Sequence, residues 1–271
     1  MCGTRSGLAL RCAVGAIALT LLPLAAWAEP IVWDPGNPPS QSPTIAQLQA
    51  AGGLVVGDKL FSQFTFVRGA LPSDPGLIAS SPDATQVTVT GIVVGNDYGI
   101  QFNGPWLAGP GAAVNTTIGF KVSIAPEYAG QYLIKDNTLA LTASNVLASN
   151  GIVNIIENVF DAPPPLGTRV ASKSVFDTGP GSVLLPRLVD QQDFMGPNGP
   201  VALGEVWVKK DITLVGGAGL SHLSEFQQTF SQVAVPEPAT WWLSAVGLLG
   251  LTLARVRRRR RSAQAALVNA A

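Results

Sequence analysis

Apolar and polar residues alternate with a period of two along most of the chain between residues 54 and 233. In residues 86–94, for example, β-branched side chains fall in turn on two sides, as the side chains of a strand do. The same pattern predicts strands over residues 54–56, 60–67, 86–94, 98–102, 116–124, 132–141, 152–160, 169–176, 182–189, 201–209, 212–215 and 225–233.

One short helix is predicted ahead of these strands. Thr44 and Gln47 have the spacing of a capping box, and Gly52-Gly53 follow seven residues of helical character. This pattern predicts a helix over Ile45–Ala51. Residues 29–43 are rich in Pro, Gly, Asn and Ser, which predicts an extended lead-in.

Many short strands separated by Gly- and Pro-containing turns are typical of mainly β proteins. We therefore predict a single antiparallel β-sandwich or jelly-roll-like domain with one short N-terminal helix. Three consecutive prolines, Pro163 to Pro165, cannot lie in a central strand, and we interpret them as part of a long loop within one sandwich. A body of about 205 residues is long enough for one sizeable core.

The N-terminus has the pattern of a secretory signal. Arg5 and Arg11 precede an apolar run over residues 13–24, and Ala26-Trp27-Ala28 follow with small residues two apart. This order predicts a signal peptide over residues 1–28, with cleavage between Ala28 and Glu29. The alternative, an uncleaved anchor helix, fits less well because the apolar run is short.

The C-terminus combines a Pro-rich tether, an apolar run over residues 241–254 and a basic cluster. Since prolines end regular structure, the tether is predicted to be extended, and the arginines hold their end of a membrane-spanning helix in the cytoplasm. The residues assigned to the tether are Val235, Pro236, Glu237 and Pro238; those of the span include Trp241, Trp242, Leu243, Leu248, Leu249, Leu251 and Leu253; the stop-transfer residues are Arg255, Arg257, Arg258, Arg259, Arg260 and Arg261.

This three-part tail resembles the PEP-CTERM sorting signal, which is also labelled an ice-binding-protein C-terminal domain. The resemblance implies an inner-membrane precursor, recognition by an exosortase-type enzyme, removal of the tail and delivery to the cell surface or extracellular matrix. It divides the chain into a signal peptide (1–28), an exported body (29–233), a sorting tail (234–261) and a short cytoplasmic extension (262–271). A plain C-terminal anchor without processing is the alternative.

Part of the body has a resemblance of its own. Residues 48–64, a short helical segment followed by a Gly turn and Val-Gly-Asp before an aromatic strand, resemble a segment of many exported PEP-CTERM proteins, and residues 99–106 resemble a second piece. The resemblance implies an uncharacterised exported β-sandwich family and supplies no catalytic residues.

Charge and cysteine content exclude several classes of function. The chain has 17 basic residues, of which eight arginines lie in the two terminal segments, so the body has 9 basic against about 17 acidic residues and a net charge close to −8. Such a body has no basic surface for nucleic acid. Both cysteines, Cys2 and Cys12, lie in the signal peptide, which excludes disulfides and thiol chemistry in the body.

The sequence shows no catalytic or metal-binding pattern. His222 is the only histidine, so a Ser-His-Asp triad would depend on it, and we interpret it as a loop residue between strands. The mid-body glutamates could pair as in glycosidases, although we interpret them as solvated acids. Asp190 and Asp193 could bind calcium, although the sequence has no dense Asp-x-Asp-x-Asp loop to support such a site. No metal and no cofactor is predicted; the acids considered are Glu127, Glu157, Glu205 and Glu225, beside the two aspartates.

The tryptophans of the body are the remaining candidates for contact with a ligand. Trp106 lies between Pro105 and Gly109-Pro110, which predicts a loop where its ring could contact a glycan. Trp207 is predicted to be a half-buried cross-strand residue, because Val206 and Val208 face the other way. We therefore expect a non-catalytic, exported surface or matrix protein. The alternatives are a carbohydrate-binding module for extracellular polysaccharide and, less favoured, a hydrolase.

Overall fold

The computed structural model describes residues 28–69, 74, 76–147 and 149–235. These residues form mainly β structure with one short helix, as predicted. Two large sheets pack face to face, and one hydrophobic core lies between them.

The first sheet has seven strands, and all of its neighbouring pairs are antiparallel except one parallel pair at an edge. In spatial order these strands are β1 (Ile31–Trp33), β2 (Leu54–Val56), β3 (Lys59–Arg68), β7 (Ala113–Ile124), β14 (Glu205–Val215), β9 (Ile152–Phe160) and β10 (Arg169–Thr178).

The second sheet is antiparallel throughout, and one of its interior strands carries the C-terminal end of the body. Its strands are β11 (Val189–Asp193), β8 (Tyr132–Val146), β15 (Ser221–Ala234) and β6 (Asp97–Ala108), with β4 (Ala79–Ser80) and β5 (Thr88–Val94) both paired to β6. A small separate hairpin consists of β12 (Met195–Gly196) and β13 (Gly199–Pro200), and a 3-10 turn spans Pro126–Tyr128.

The helix α1 (Ile45–Ala51) has the predicted bounds and caps. The Thr44 hydroxyl accepts a hydrogen bond from the Gln47 backbone N–H at 3.2 Å, and the Gln47 side chain accepts one from the Thr44 N–H at 2.8 Å. Gly52 ends the helix with φ of 81°, a conformation that glycine adopts without steric cost. Ile45 and Leu48 face inward and join the core.

Aromatic rings from both sheets form the centre of the core. Phe102 of the second sheet stacks on Phe226 at 4.8 Å between centroids and also contacts Phe120 of the first sheet at 5.8 Å. Phe61 and Phe230 meet across the sheets at 5.8 Å. Since each fully buried Phe contributes about 1.5–3 kcal/mol, these contacts fix how the sheets face each other.

Several predicted strands differ from the structure. The predicted strands 201–209 and 212–215 are replaced by one continuous strand, β14, which begins only at Glu205. The predicted strand 182–189 is irregular up to its last residue. Val183 and Leu185 of that segment are exposed despite their apolar character. The lead-in 29–43 contains β1, which pairs in parallel with β2.

The terminal predictions fall outside the described residues, apart from Ala28, the body-side Glu29 and Val235. The signal segment, the membrane-spanning run and the arginine cluster are therefore not described. Within the described part of the chain, no helix is both long and apolar enough to cross a bilayer.

Candidate binding groove on the outer face of the first sheet

Trp106 does not lie in a loop, contrary to the prediction. It belongs to β6, its side chain is 0% exposed, and its indole Nε1 donates a hydrogen bond to the Thr116 hydroxyl at 3.1 Å. Its ring also packs on Phe226 at 5.9 Å. Because stacking on a sugar needs an exposed ring face, Trp106 is a core residue that joins the two sheets.

The acidic candidates are distributed over different parts of the body. Glu127 and Glu205 are exposed, and Glu225 is half-buried and accepts a hydrogen bond from Gln101. Glu157 is fully buried, so its interpretation as a solvated acid is wrong. His222 lies in β15 rather than in a loop and is half-buried.

Both carboxylate oxygens of Asp190 are paired with other residues of the protein. One carboxylate oxygen lies 2.7 Å from the Arg187 guanidinium, and the other accepts the Ser174 backbone N–H at 3.0 Å. Asp193 is exposed. Among the described residues, no three His, Cys, Asp or Glu side chains group as metal ligands would.

A different tryptophan lies on the outer face of the first sheet. Trp207 alternates with buried Val206 and Val208 in β14, so its half-buried ring faces away from the core, as predicted. Its neighbours across the sheet are Lys121 and Phe160. The Lys121 ammonium lies 5.8 Å from the centre of the Trp207 ring, within the range of a cation–π contact.

Next to this ring the sheet surface has a hollow, because the neighbouring position on β7 is Gly119. Gly119 pairs with Thr65 on one side and Lys209 on the other, and a Cβ at this position would lie 2.5 Å from the Thr65 hydroxyl oxygen. The backbone also bends here: β3 has a bulge between Ser62 and Thr65, and Gln63 adopts a φ of 52°.

The hollow widens into a groove of about 340 Å³. The loop between β9 and β10 reaches over it with Pro163 and Pro164, and this loop is held by a hydrogen bond from the Thr168 N–H to the Asp161 carboxylate at 2.6 Å. Besides the two prolines, the lining consists of Gln63, Thr65, Val67, Thr117, Gly119, Phe120, Trp207, Val208 and Lys209.

Charges at the rim of the groove are paired. Lys121 and Glu205 lie 3.1 Å apart, and Lys209 lies 3.3 Å from Asp211. Asp211 also accepts a hydrogen bond from the Thr117 hydroxyl at 2.7 Å. The rim therefore offers hydroxyl, amide and balanced charged groups around an apolar floor, which fits a neutral polar ligand better than a strongly charged one.

The indole Nε1 of Trp207 is buried and has no hydrogen-bond partner among the described residues. A buried N–H without a partner is unfavourable. The groove contains the aromatic ring and polar rim of a binding site. Its lining has no histidine, cysteine, aspartate or glutamate that could act as a general base.

The chain leads from β15 directly into the Pro-rich tether, and Val235 is held by a hydrogen bond from its N–H to the Gln131 carbonyl at 2.8 Å. Residues 234–260 match a family model described as a PEP-CTERM protein-sorting motif. The chain carries a PEP-CTERM sorting motif. The motif indicates export through a membrane-anchored precursor and implies processing by an exosortase-type enzyme.

No curated protein matches the chain significantly. Among solved structures, it is similar to TmCBM61 in complex with β-1,4-galactotriose, with 13% identity, 72% of this chain and 100% of that chain covered, and a TM-score of 0.27. It is also similar to CBM27-1 of Caldicellulosiruptor saccharolyticus in complex with mannohexaose, with 9% identity, coverages of 55% and 81%, and a TM-score of 0.27. At these TM-scores the similarity carries no functional argument.

Proposed function

We propose that the exported body is a non-catalytic extracellular protein that binds a saccharide in the groove beside Trp207. The observation that carries the proposal is a half-buried tryptophan lining a groove of about 340 Å³ on the outer face of the first sheet. This volume lies at the lower end of the range for small-molecule sites, about 300–1,000 Å³. We also propose the cell surface or extracellular matrix as the final location.

The chemistry of the groove supports a neutral saccharide. A sugar ring has an apolar face that can pack on the Trp207 ring, and its hydroxyl groups need donors and acceptors at the edge. Gln63, Thr65 and Lys209 supply both kinds of group around the floor. An anionic ligand is less well matched because each lysine at the rim already has an acidic partner.

The proposal is tested with a glycan array, followed by affinity measurement on the purified protein. Trp207→Ala should weaken binding by about thirtyfold, since a central tryptophan typically contributes about 2 kcal/mol or more to binding. Gly119→Ala should also weaken it, because the added methyl group crowds Thr65 in the floor. Gly204→Ala is the matched control, since a Cβ at Gly204 meets nothing within 4 Å.

Three results would contradict the proposal. The first is that no glycan is retained by the folded protein, which would favour a purely structural matrix role. The second is that both Trp207→Ala and Gly119→Ala bind as tightly as the unchanged protein. The third is the release of shortened saccharides from a bound glycan, which would favour the hydrolase alternative.

A further inference from the structure

Three charged side chains form a row inside the core, on the inner face of the first sheet. Lys173 of β10 and Lys210 of β14 are the direct cross-strand neighbours of Glu157 on β9. All three side chains are 0% exposed. Asn137, also 0% exposed, faces them from β8 of the second sheet.

Asn137, Glu157 and Lys173 contact one another, and Lys210 contacts Glu157. Asn137 Nδ2 donates a hydrogen bond to Glu157 Oε1 at 2.7 Å, and Lys173 Nζ lies 3.3 Å from the same oxygen. Lys173 Nζ donates to Asn137 Oδ1, and Lys210 Nζ donates to Glu157 Oε2. A C=O bond is about 1.23 Å long, so an amine in contact with Oδ1 is also within reach of the amide carbon Cγ.

Charge in this cluster is unbalanced, because two ammonium groups share one carboxylate in a desolvated site. Burial lowers the pKa of Lys210 to about 8 against the opposing effect of Glu157. Burial alone would raise the pKa of Glu157, but the charges of Lys210 and Lys173 outweigh it and the pKa is lowered. An unpaired buried charge is costly, so a change that removes one ammonium group is favoured.

We propose that the protein forms an intramolecular isopeptide bond between Lys173 Nζ and Asn137 Cγ, with Glu157 as the acid–base group. The nucleophile is Lys173 because it contacts the amide of Asn137. Lys210, in contrast, contacts Glu157 Oε2 and lies against the rings of Phe226 and Phe120, at 5.7 and 5.9 Å from their centres.

The reaction is balanced by the groups present. Glu157 Oε1 takes a proton from the Lys173 ammonium, and the freed amine attacks Cγ, moving the carbonyl π electrons to Oδ1. Glu157 then returns the proton to Nδ2, the Cγ–Nδ2 bond breaks as the carbonyl reforms, and ammonia leaves. The attacking nitrogen loses a second proton, which ammonia carries away as ammonium; nothing is oxidised or reduced. Holding the reacting atoms about 3–3.5 Å apart is what makes such a step fast.

The proposed bond would balance the charge of the cluster and link the two sheets. The bond removes the charge of Lys173 and leaves one carboxylate paired with one ammonium, Glu157 with Lys210. It also joins β10, the edge strand of the first sheet, to β8 of the second sheet. Both cysteines of the chain lie in the predicted signal peptide, so the exported body has no disulfide that could link the two sheets.

The bond is tested by tryptic peptide mapping of the exported protein. Trypsin should cut after Lys135, Arg169 and Arg187 but not after an acylated Lys173. We expect peptide 136–169 to be joined to peptide 170–187. The mass of the joined species should equal the sum of the two peptide masses less one ammonia, and its fragment ions should place the branch at Lys173 and Asn137. Free peptide 136–169 together with cleavage after Lys173 would overturn the proposal, as would a branch at Lys210.

Two matched variants separate the roles of the lysines. Lys173→Arg should abolish the joined peptide, whereas Lys210→Arg, the same change at an equally buried site, should retain it. Glu157→Gln should leave the two peptides separate, because the acid–base group is lost. If Lys173→Arg still gave a branched peptide at Asn137, the assignment would be wrong. Peptide mapping of the unchanged protein shows by itself whether the bond exists, so the test does not depend on the folding of the variants.

Discussion

Glu157→Gln is the change that tests the energetics of the core most directly. The substitution keeps the shape of the side chain and removes its charge. Lys173→Arg also lacks the proposed isopeptide bond but keeps the Glu157 charge, so comparison with it separates the effect of the charge from that of the bond. In the structure this carboxylate is the only acidic partner in contact with the fully buried Lys210 and Lys173 among the described residues. Removing one partner of a buried ion pair costs about 3–5 kcal/mol, because the remaining charge stays buried without a counter-ion.

The expected effect is large for a body of this length. For domains of 150–250 residues, 1 kcal/mol shifts the melting temperature by about 2–4 °C. The loss of the Glu157 charge should therefore lower the melting temperature by about 6–20 °C. Circular dichroism follows the thermal transition, and urea titration gives the free energy of unfolding.

Glu205→Gln is the matched control. It removes the same charge from a pair with Lys121 at 3.1 Å, but the Glu205 side chain is 51% exposed. Exposed pairs contribute about 0.2–1 kcal/mol, so the melting temperature should fall by less than about 4 °C. If Glu157→Gln and Glu205→Gln melted at the same temperature, the argument that an uncompensated core charge is costly would be refuted.

Three further predictions follow from particular residues. Because the pKa of Lys210 is lowered to about 8 from 10.5, the unfolded chain binds the extra proton between these values, and stability should rise with pH in that window; in urea titrations at its two ends, Lys210→Met should lack the rise. Thr44→Ala should cost about 1 kcal/mol of unfolding free energy, since it removes the helix cap. Replacing Pro236, Glu237 and Pro238 together should leave the tail attached in the membrane fraction, and mass spectrometry of the C-terminus checks this; an unchanged mature C-terminus would contradict it.

Local sequence signals predicted several elements with correct bounds. The helix α1 begins and ends where the capping box and Gly52 place it, because both caps are made within a few residues. The strand β9 also has the predicted bounds, since its alternation is unbroken between Gly151 and the turn after Phe160. These are cases in which the deciding contacts are close in sequence.

Trp106 shows why local signals fail elsewhere. Asn103, Gly104 and Pro105 look like a turn, yet the structure continues β6 through them. The partner β5 begins opposite Asn103, so it does not pair with Gly104 or Pro105, and the pairing with β15 has a bulge between Leu223 and Glu225. A proline without an N–H is tolerated at such a bulge, and only the long-range pairing reveals it.

The buried cluster of Lys173, Glu157 and Lys210 could be predicted from the sequence only in part. Lys173, Glu157 and Lys210 each occupy an inward position between buried apolar residues of their strands, a pattern that could have predicted three core charges. The sequence pattern does not show that these strands are neighbours, in a register that places the three side chains in one row opposite Asn137. The pairing of Lys210 with Glu157, for example, joins residues 53 positions apart. The groove at Gly119 likewise requires the registers of three strands.

The position of β15 has a mechanical consequence. This strand is held along its length by β8 and over most of it by β6, and it ends at Ala234 beside the sorting motif. A pulling force applied beyond Ala234 acts along the axis of β15. The hydrogen bonds between β15 and its neighbours are perpendicular to that axis. Such a load shears many bonds together instead of opening them one after another, so a body tethered at this end is built to stay folded under tension.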